Sequence, residues 1–167
     1  MGSDIKESLR NRNVGYGRGA IAGLIGGIVM AMLTMMVTAG MGMGALALPK
    51  MIAGMFLGSD AAMAGGAGVI IFGLGAHMML SILFGLVYAG IVNGLTHEFW
   101  VTGIAFGIAV WVVNFYAIGA VWPGAHMMAA NERVWLAAMS HIIFGLVTAW
   151  VAGAGAAPAA VGSAAGA

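Results

Sequence analysis

His77 and His141 are the side chains best equipped for chemistry in this sequence, because each lies well inside a long apolar stretch. In hydrocarbon an imidazole must find a partner or a watery cavity, since an unsatisfied polar group there costs several kcal/mol. Three readings are open on sequence grounds. Both rings can be neutral and glue the structure together through hydrogen bonds to Asn114, Ser81, Thr34, Thr148 or a backbone carbonyl. Both can ligate a haem b or a metal ion, with Arg133 and Lys50 placed for propionates. Against that, there is one such pair and no Cys-x-x-Cys-His attachment motif. Finally, they can mark a path for protons or a small solute, although no carboxylate lies inside an apolar stretch to extend a relay.

No enzyme constellation emerges from the other polar residues. Asp4, Glu7, Asp60, Glu98 and Glu132 all fall outside the apolar stretches, and none pairs with another at short spacing. Ser140 adjoins His141, but helix neighbours point about 100° apart and form no nucleophile–base pair. The glycine runs lack the strand–turn–helix context of a phosphate cradle. Cysteine is absent, which removes disulfides, thiolate metal sites and cysteine nucleophiles. The 15 methionines include pairs four apart, Met32/Met36 and Met51/Met55, with Met41 and Met43 near the end of the first apolar stretch. Thioethers suit copper(I), but methionine beside glycine is foremost a filler of irregular gaps or a lipid-facing group. No catalytic residue and no metal site is assigned.

What must position these residues is a bundle of helices in a bilayer. Of 167 residues, 62% are hydrophobic and 7% charged, against about 25% charged in a soluble domain. Water cannot be the main solvent of such a chain. The net charge of +1 offers no footprint for nucleic acid. Four apolar segments, at 19–40, 68–92, 100–121 and 134–153, reach the roughly 20 residues that a helix needs to cross the hydrocarbon core. They lack the period-2 alternation of barrel strands. The expected fold is therefore an all-α membrane protein, a four-transmembrane-helix bundle. It has a basic segment at 1–18, a transmembrane domain at 19–153 and an Ala/Gly-rich flexible tail at 154–167.

Lys6, Arg10, Arg12 and Arg18 precede the first span, whereas Lys50 and Arg133 fall in the two loops on the other side. The excess of basic residues places the N-terminus in the cytoplasm. An even number of spans brings the C-terminus to the same side, together with the 93–99 turn that carries His97 and Glu98. The first span, at about 20 residues, exceeds the apolar core of a signal peptide and is read as retained. In the first outer loop, 45–66, Pro49 and Lys50 precede an apolar run at 51–57 that reads as a short interfacial helix. His97 and His126 read as solvated loop residues, and Asn131 as the cap of a helix starting at Glu132-Arg133.

The 29 glycines are the strongest packing signal, because helices in lipid associate through small residues that let backbones approach. Gly19, Gly23 and Gly27 recur every four residues, as do Gly103 with Gly107 and Gly90 with Gly94. These stripes continue into polar positions: Gly23, Gly27, Met30 and Thr34; Gly73, His77, Ser81 and Gly85; Gly103, Gly107, Val110, Asn114 and Ala117; Ala138, His141, Gly145 and Thr148. At 1.5 Å per residue, Thr34, Asn114 and His141 lie about 9–10 Å from the outer ends of their spans and His77 about 14 Å. A polar cluster in the outer half is expected. Phe84-Gly85-Leu86-Val87 also parallels Phe144-Gly145-Leu146-Val147, and Gly19/Gly23 parallels Gly103/Gly107, compatible with two parallel hairpin repeats.

A wider pattern combines Leu48-Pro49 before the short segment, Leu57-Gly58 after it, His77-x-x-x-Ser81-Ile82-Leu83-Phe84 with Tyr88, Asn114 in the third span and Ser140-His141 in the fourth. It resembles the YagU-like small four-helix inner-membrane proteins of bacteria, over roughly residues 18–153. The resemblance implies a four-span fold and a bacterial inner-membrane address; that group has no assigned molecular activity and a loose link to acid resistance. Its third-span polar residue is a histidine, whereas Asn114 cannot titrate. Together these features suggest a non-enzymatic membrane protein, foremost an accessory or structural subunit in contact with other membrane subunits or further copies of itself.

Overall fold

In lipid, an apolar run uninterrupted by proline can satisfy its backbone N–H and C=O groups only by coiling. The computed structural model describes residues 12–93, 98–153 and 157–158. Its helices are α1 (Tyr16–Gly40), α2 (Ala47–Leu57), α3 (Ser59–Ala64), α4 (Ala67–Val92), α5 (Phe99–Val121), α6 (Pro123–Asn131) and α7 (Val134–Gly153). Four of them, α1, α4, α5 and α7, are long and apolar enough to cross a membrane. They match the four expected spans, with α1 starting about a turn early. Buried residues are a minority in each span, and exposed apolar side chains such as Ile21, Ile25 and Met32 on α1 and Ile71, Met79 and Leu83 on α4 face outward. That is the pattern of a protein whose solvent is lipid. Trp100 and Trp150 at one end, and Trp135 at the other, are exposed as interfacial aromatic anchors.

Both ends of the described chain share one end of the bundle with Asn93. Arg12–Asn13 pairs antiparallel with Ala157–Pro158. The Asn93 amide brackets the peptide of Val14: Val14 N–H donates to Asn93 Oδ1 at 2.7 Å, and Asn93 Nδ2 donates to Val14 O at 3.0 Å. His97, Gly94 and the rest of the Ala/Gly-rich tail lie outside the described residues.

Glycine sets the helix pairs. A Cβ on Gly19 would meet Ala89 Cβ and Gly85 O at 2.6 Å, and one on Gly23 would meet Gly85 Cα at 2.7 Å, so α1 and α4 touch backbone to backbone. The α5–α7 pair repeats this contact at matching positions. A Cβ on Gly103 would meet Gly145 O at 3.0 Å and Ala149 Cβ at 3.1 Å, and one on Gly107 would meet the His141 carbonyl and Ile142 Cα. Gly19 thus corresponds to Gly103, Gly23 to Gly107, Gly85 to Gly145 and Ala89 to Ala149, which gives the sequence repeat a structural counterpart. The pairs join where Gly26 on α1 lies against Thr148 and Phe144 of α7. Helices α4 and α5 meet around Tyr88, whose hydroxyl pairs with Thr102 Oγ1 at 3.1 Å and whose ring packs edge-on against Phe106 at 5.1 Å.

The opposite end is closed by α2 and α6. Helix α2 is the expected short apolar helix, begun earlier than the 51–57 run, with Leu48, Pro49, Ile52, Ala53 and Gly54 buried. Gly73 was expected on an interhelical face, and its close neighbour is the Pro49 backbone of α2. Helix α6 was not expected. Pro123 at its first turn fixes φ where a missing N–H does no harm. Asn131 therefore ends α6, rather than capping a helix that starts at Glu132. Gly124 of α6 lies against the Met55 backbone, and Phe56 packs edge-on against Trp122 at 4.9 Å and Phe72 at 5.7 Å.

A β-carbon on Gly145 would fall 2.6 Å from Gly107 N and 2.8 Å from Gly107 Cα. Gly145→Ala should therefore force α5 and α7 apart and lower the melting temperature in detergent by several degrees, the overpacking cost being about 1–3 kcal/mol. Gly75→Ala, in open space, should leave melting unchanged. Equal melting of the two variants would show that backbone contact does not hold this pair.

Candidate functional site

Where α4 and α5 are held apart beneath α2 and α6 lies a partly open cavity of about 110 Å³, room for several waters or one small solute. His77, Ser81 and Phe84 of α4 line it, with Asn114, Phe115 and Ile118 of α5, His141 and Phe144 of α7, and Met30 of α1. Leu48, Ile52 and Met55 of α2 and Trp122, Ala125 and Met128 of α6 form its cover. Glu132, from the link between α6 and α7, also lines it.

Each imidazole is held by a backbone carbonyl. His77 donates through Nε2 to Gly27 O at 3.1 Å, and His141 donates through Nδ1 to Ala137 O at 2.7 Å. A carbonyl only accepts, so the proton sits on Nε2 of His77 and Nδ1 of His141, and the other nitrogen of each neutral ring is an acceptor. His141 Nε2 has no hydrogen-bond partner among the described residues. Gly27 makes room for this arrangement, since a Cβ there would lie 2.5 Å from Ser81 Cβ and 3.7 Å from His77 Nε2. Ser81 Oγ donates to His77 O at 2.7 Å, and Ser140 Oγ to Ala137 O at 3.0 Å. The Phe115 ring stands edge-on to His141 with centroids 5.6 Å apart.

The third span reaches the cavity through a π turn at Val113–Ile118. A turn of this kind inserts an extra residue into the helical period and recurs at functional sites. It corrects the expected face of α5: Asn114, Phe115 and Ile118 line the cavity, while Ala117 is exposed. Of the expected polar cluster, His77, Ser81, Asn114 and His141 converge. Thr34 and Thr148 do not reach the cavity; both are buried, and their hydroxyls have no partner among the described residues. Thr148 shares a helix face with His141 but lies about 10 Å further along the axis. Gly23, Gly27, Gly73, Gly85 and Gly107 pack around the site, and Gly19, Gly103 and Gly145 fix the helix pairs below it.

Glu132 was missed as a site residue. The signal that could have found it is Pro123, which starts a helix that folds back over the bundle and carries the next carboxylate to the cavity rim. Glu132 is half-buried, and its carboxylate has neither hydrogen bond nor ion pair among the described residues. Burial pushes it up to about 7.

A haem does not suit this geometry. The cavity is smaller than the roughly 300 Å³ at which drug-sized pockets begin, and the Nε2 of His77 is committed to Gly27. No group of three His, Cys, Asp or Glu side chains among the described residues could hold a metal ion. Met32 and Met36 are exposed, facing outward with the lipid-contacting residues.

No family model, curated protein or solved structure matches the chain.

Because its folded value of about 7 exceeds the ordinary 4.5, Glu132 keeps its proton over a pH range in which the unfolded chain has lost it. Its contribution to stability is full below the ordinary value and fades as pH rises to about 7, a loss on the order of 1–3 kcal/mol after allowance for partial exposure. Glu132→Gln should remove that decline and melt higher than the parent at pH above about 7.5. An unchanged decline would place the carboxyl in water.

Proposed function

We propose that this protein is a non-enzymatic solute-binding bundle of the bacterial inner membrane, taking a small molecule into the chamber from the outer leaflet or surface. The observation that carries the reading is the gathering of His77, Asn114, His141 and Glu132 from separate elements around one largely apolar cavity. A mostly apolar chamber with a few convergent polar groups is the usual form of a small-molecule site. The carboxylate that the spans lack is supplied by Glu132, which strengthens the conduit reading over the haem reading. Tyr88 and Phe106 fill the bundle below the chamber, against the wall residue Phe144, whose ring centroid is 6.3 Å from that of Phe106. Passage to the cytoplasmic side requires these rings to move. A role as an accessory subunit rests on the sequence composition, and co-purification with partners in mild detergent addresses it.

Orientation follows the basic residues: reporters fused to either terminus should be active in the cytoplasm, and one inserted after Gly58 should be active outside. Reversed activities would turn the chamber to face the cytoplasm. In proteoliposomes, solute uptake or binding should drop about ten-fold with His141→Ala or Asn114→Ala, each of which removes a hydrogen-bonding group from the chamber. Signals unchanged by both substitutions would remove the chamber from the function.

A further inference from the structure

We propose that the chamber selects a compact organic cation, an ammonium group on a small apolar or aromatic body. The inference rests on the solute-binding reading and names its ligand class. Polar groups around the chamber are mainly acceptors: the unpaired carboxylate of Glu132, the bare Nε2 of His141 and the amide oxygen of Asn114. A ligand rich in donors complements that set, whereas an anion or a pure acceptor meets only the Asn114 NH₂ and the indole N–H of Trp122. No Lys or Arg lines the chamber. Arg133 beside Glu132 is exposed, and the Lys50 ammonium on α2 lies near Gly65. The remaining wall is aromatic and aliphatic, with Phe84, Phe115, Trp122 and Phe144 among its side chains. Aromatic faces attract cations, and most strongly where water is excluded. A carboxylate at the rim of such a wall gives the ammonium a counter-ion, and the wall accepts the apolar body.

The titratable groups facing Glu132 across the chamber are His77 and His141; His126 on α6 is exposed. Protonation of Glu132 removes the counter-ion, and protonation of either imidazole adds a repelling charge. A cation is therefore released on acidification, while a neutral isostere is indifferent to the carboxylate.

The test is binding of benzylammonium, benzyl alcohol and benzoate to the purified full chain in detergent, followed by calorimetry and by tryptophan fluorescence. At about pH 8, benzylammonium should bind at least about ten-fold more tightly than either isostere, and its affinity should fall about ten-fold by about pH 5.5. Glu132→Gln should erase most of the preference, while Asp60→Asn, on an exposed carboxylate, should not. The preference and its pH dependence are also read on the parent protein, so the result does not hang on folding of the variant. If benzyl alcohol binds as well as benzylammonium and His141→Ala abolishes both, the chamber binds solutes but the cation assignment is overturned. If none of the three binds, the solute-binding reading falls with it.

Discussion

Backbone contact between helices is the constraint on which this structure depends. In lipid a leucine face gains nothing by leaving the acyl chains for another leucine face, so association must come from atoms brought unusually close. Gly19, Gly23 and Gly85 do this for α1 and α4, and Gly103, Gly107 and Gly145 for α5 and α7. With Gly26 joining α1 to α7, three of the helix seams are tight. The fourth, between α4 and α5, is held at one end by the Tyr88–Thr102 and Tyr88–Phe106 contacts. The chamber is the volume that this uneven closure leaves.

Covering the volume takes two further devices. Helices α2 and α6 lie across the open end and are themselves locked by a glycine contact, Gly124 on the Met55 backbone, and by the Phe56–Trp122 ring pair. The π turn then redirects the end of α5. Without its extra residue, the α-helical period would carry Ala117 inward in place of Phe115 and Ile118. Polar chemistry enters sparingly, and the buried imidazoles are each satisfied by a carbonyl rather than by one another.

Much of this was legible in the sequence because membrane helices announce themselves by length and their faces by glycine spacing. The four spans, the interhelical role of Gly19, Gly23, Gly103 and Gly107, and the convergence of His77, Asn114 and His141 follow from period and depth alone. What was not legible depends on departures from ideal period or on tertiary folding. Ala117 was placed on the inner face because a regular helix puts it there, and no residue type marks a π turn. Thr34 and Thr148 share the right faces but miss the chamber along the helix axis. The carbonyl partners of the two imidazoles carry no side-chain signal, since every residue offers one. Glu132 was assigned by its neighbour Asn131, while its true setting comes from a helix that turns back upon the bundle.

The matched glycine crossings expose an asymmetry between the two helix pairs. Under the correspondence that aligns Gly85 with Gly145, Ser81 falls on His141 and His77 on Ala137. The correspondence extends to hydrogen bonding: Ser81 Oγ reaches back to the carbonyl of His77 as His141 Nδ1 reaches back to that of Ala137. The two halves thus share a skeleton and exchange their chemistry, one imidazole sitting a full turn away from the position its counterpart occupies. A protein assembled from two identical hairpins would keep the crossings yet carry paired, symmetry-related rings. The interior is lopsided instead: the two rings sit at different levels of the two helix pairs and each bonds to a different carbonyl.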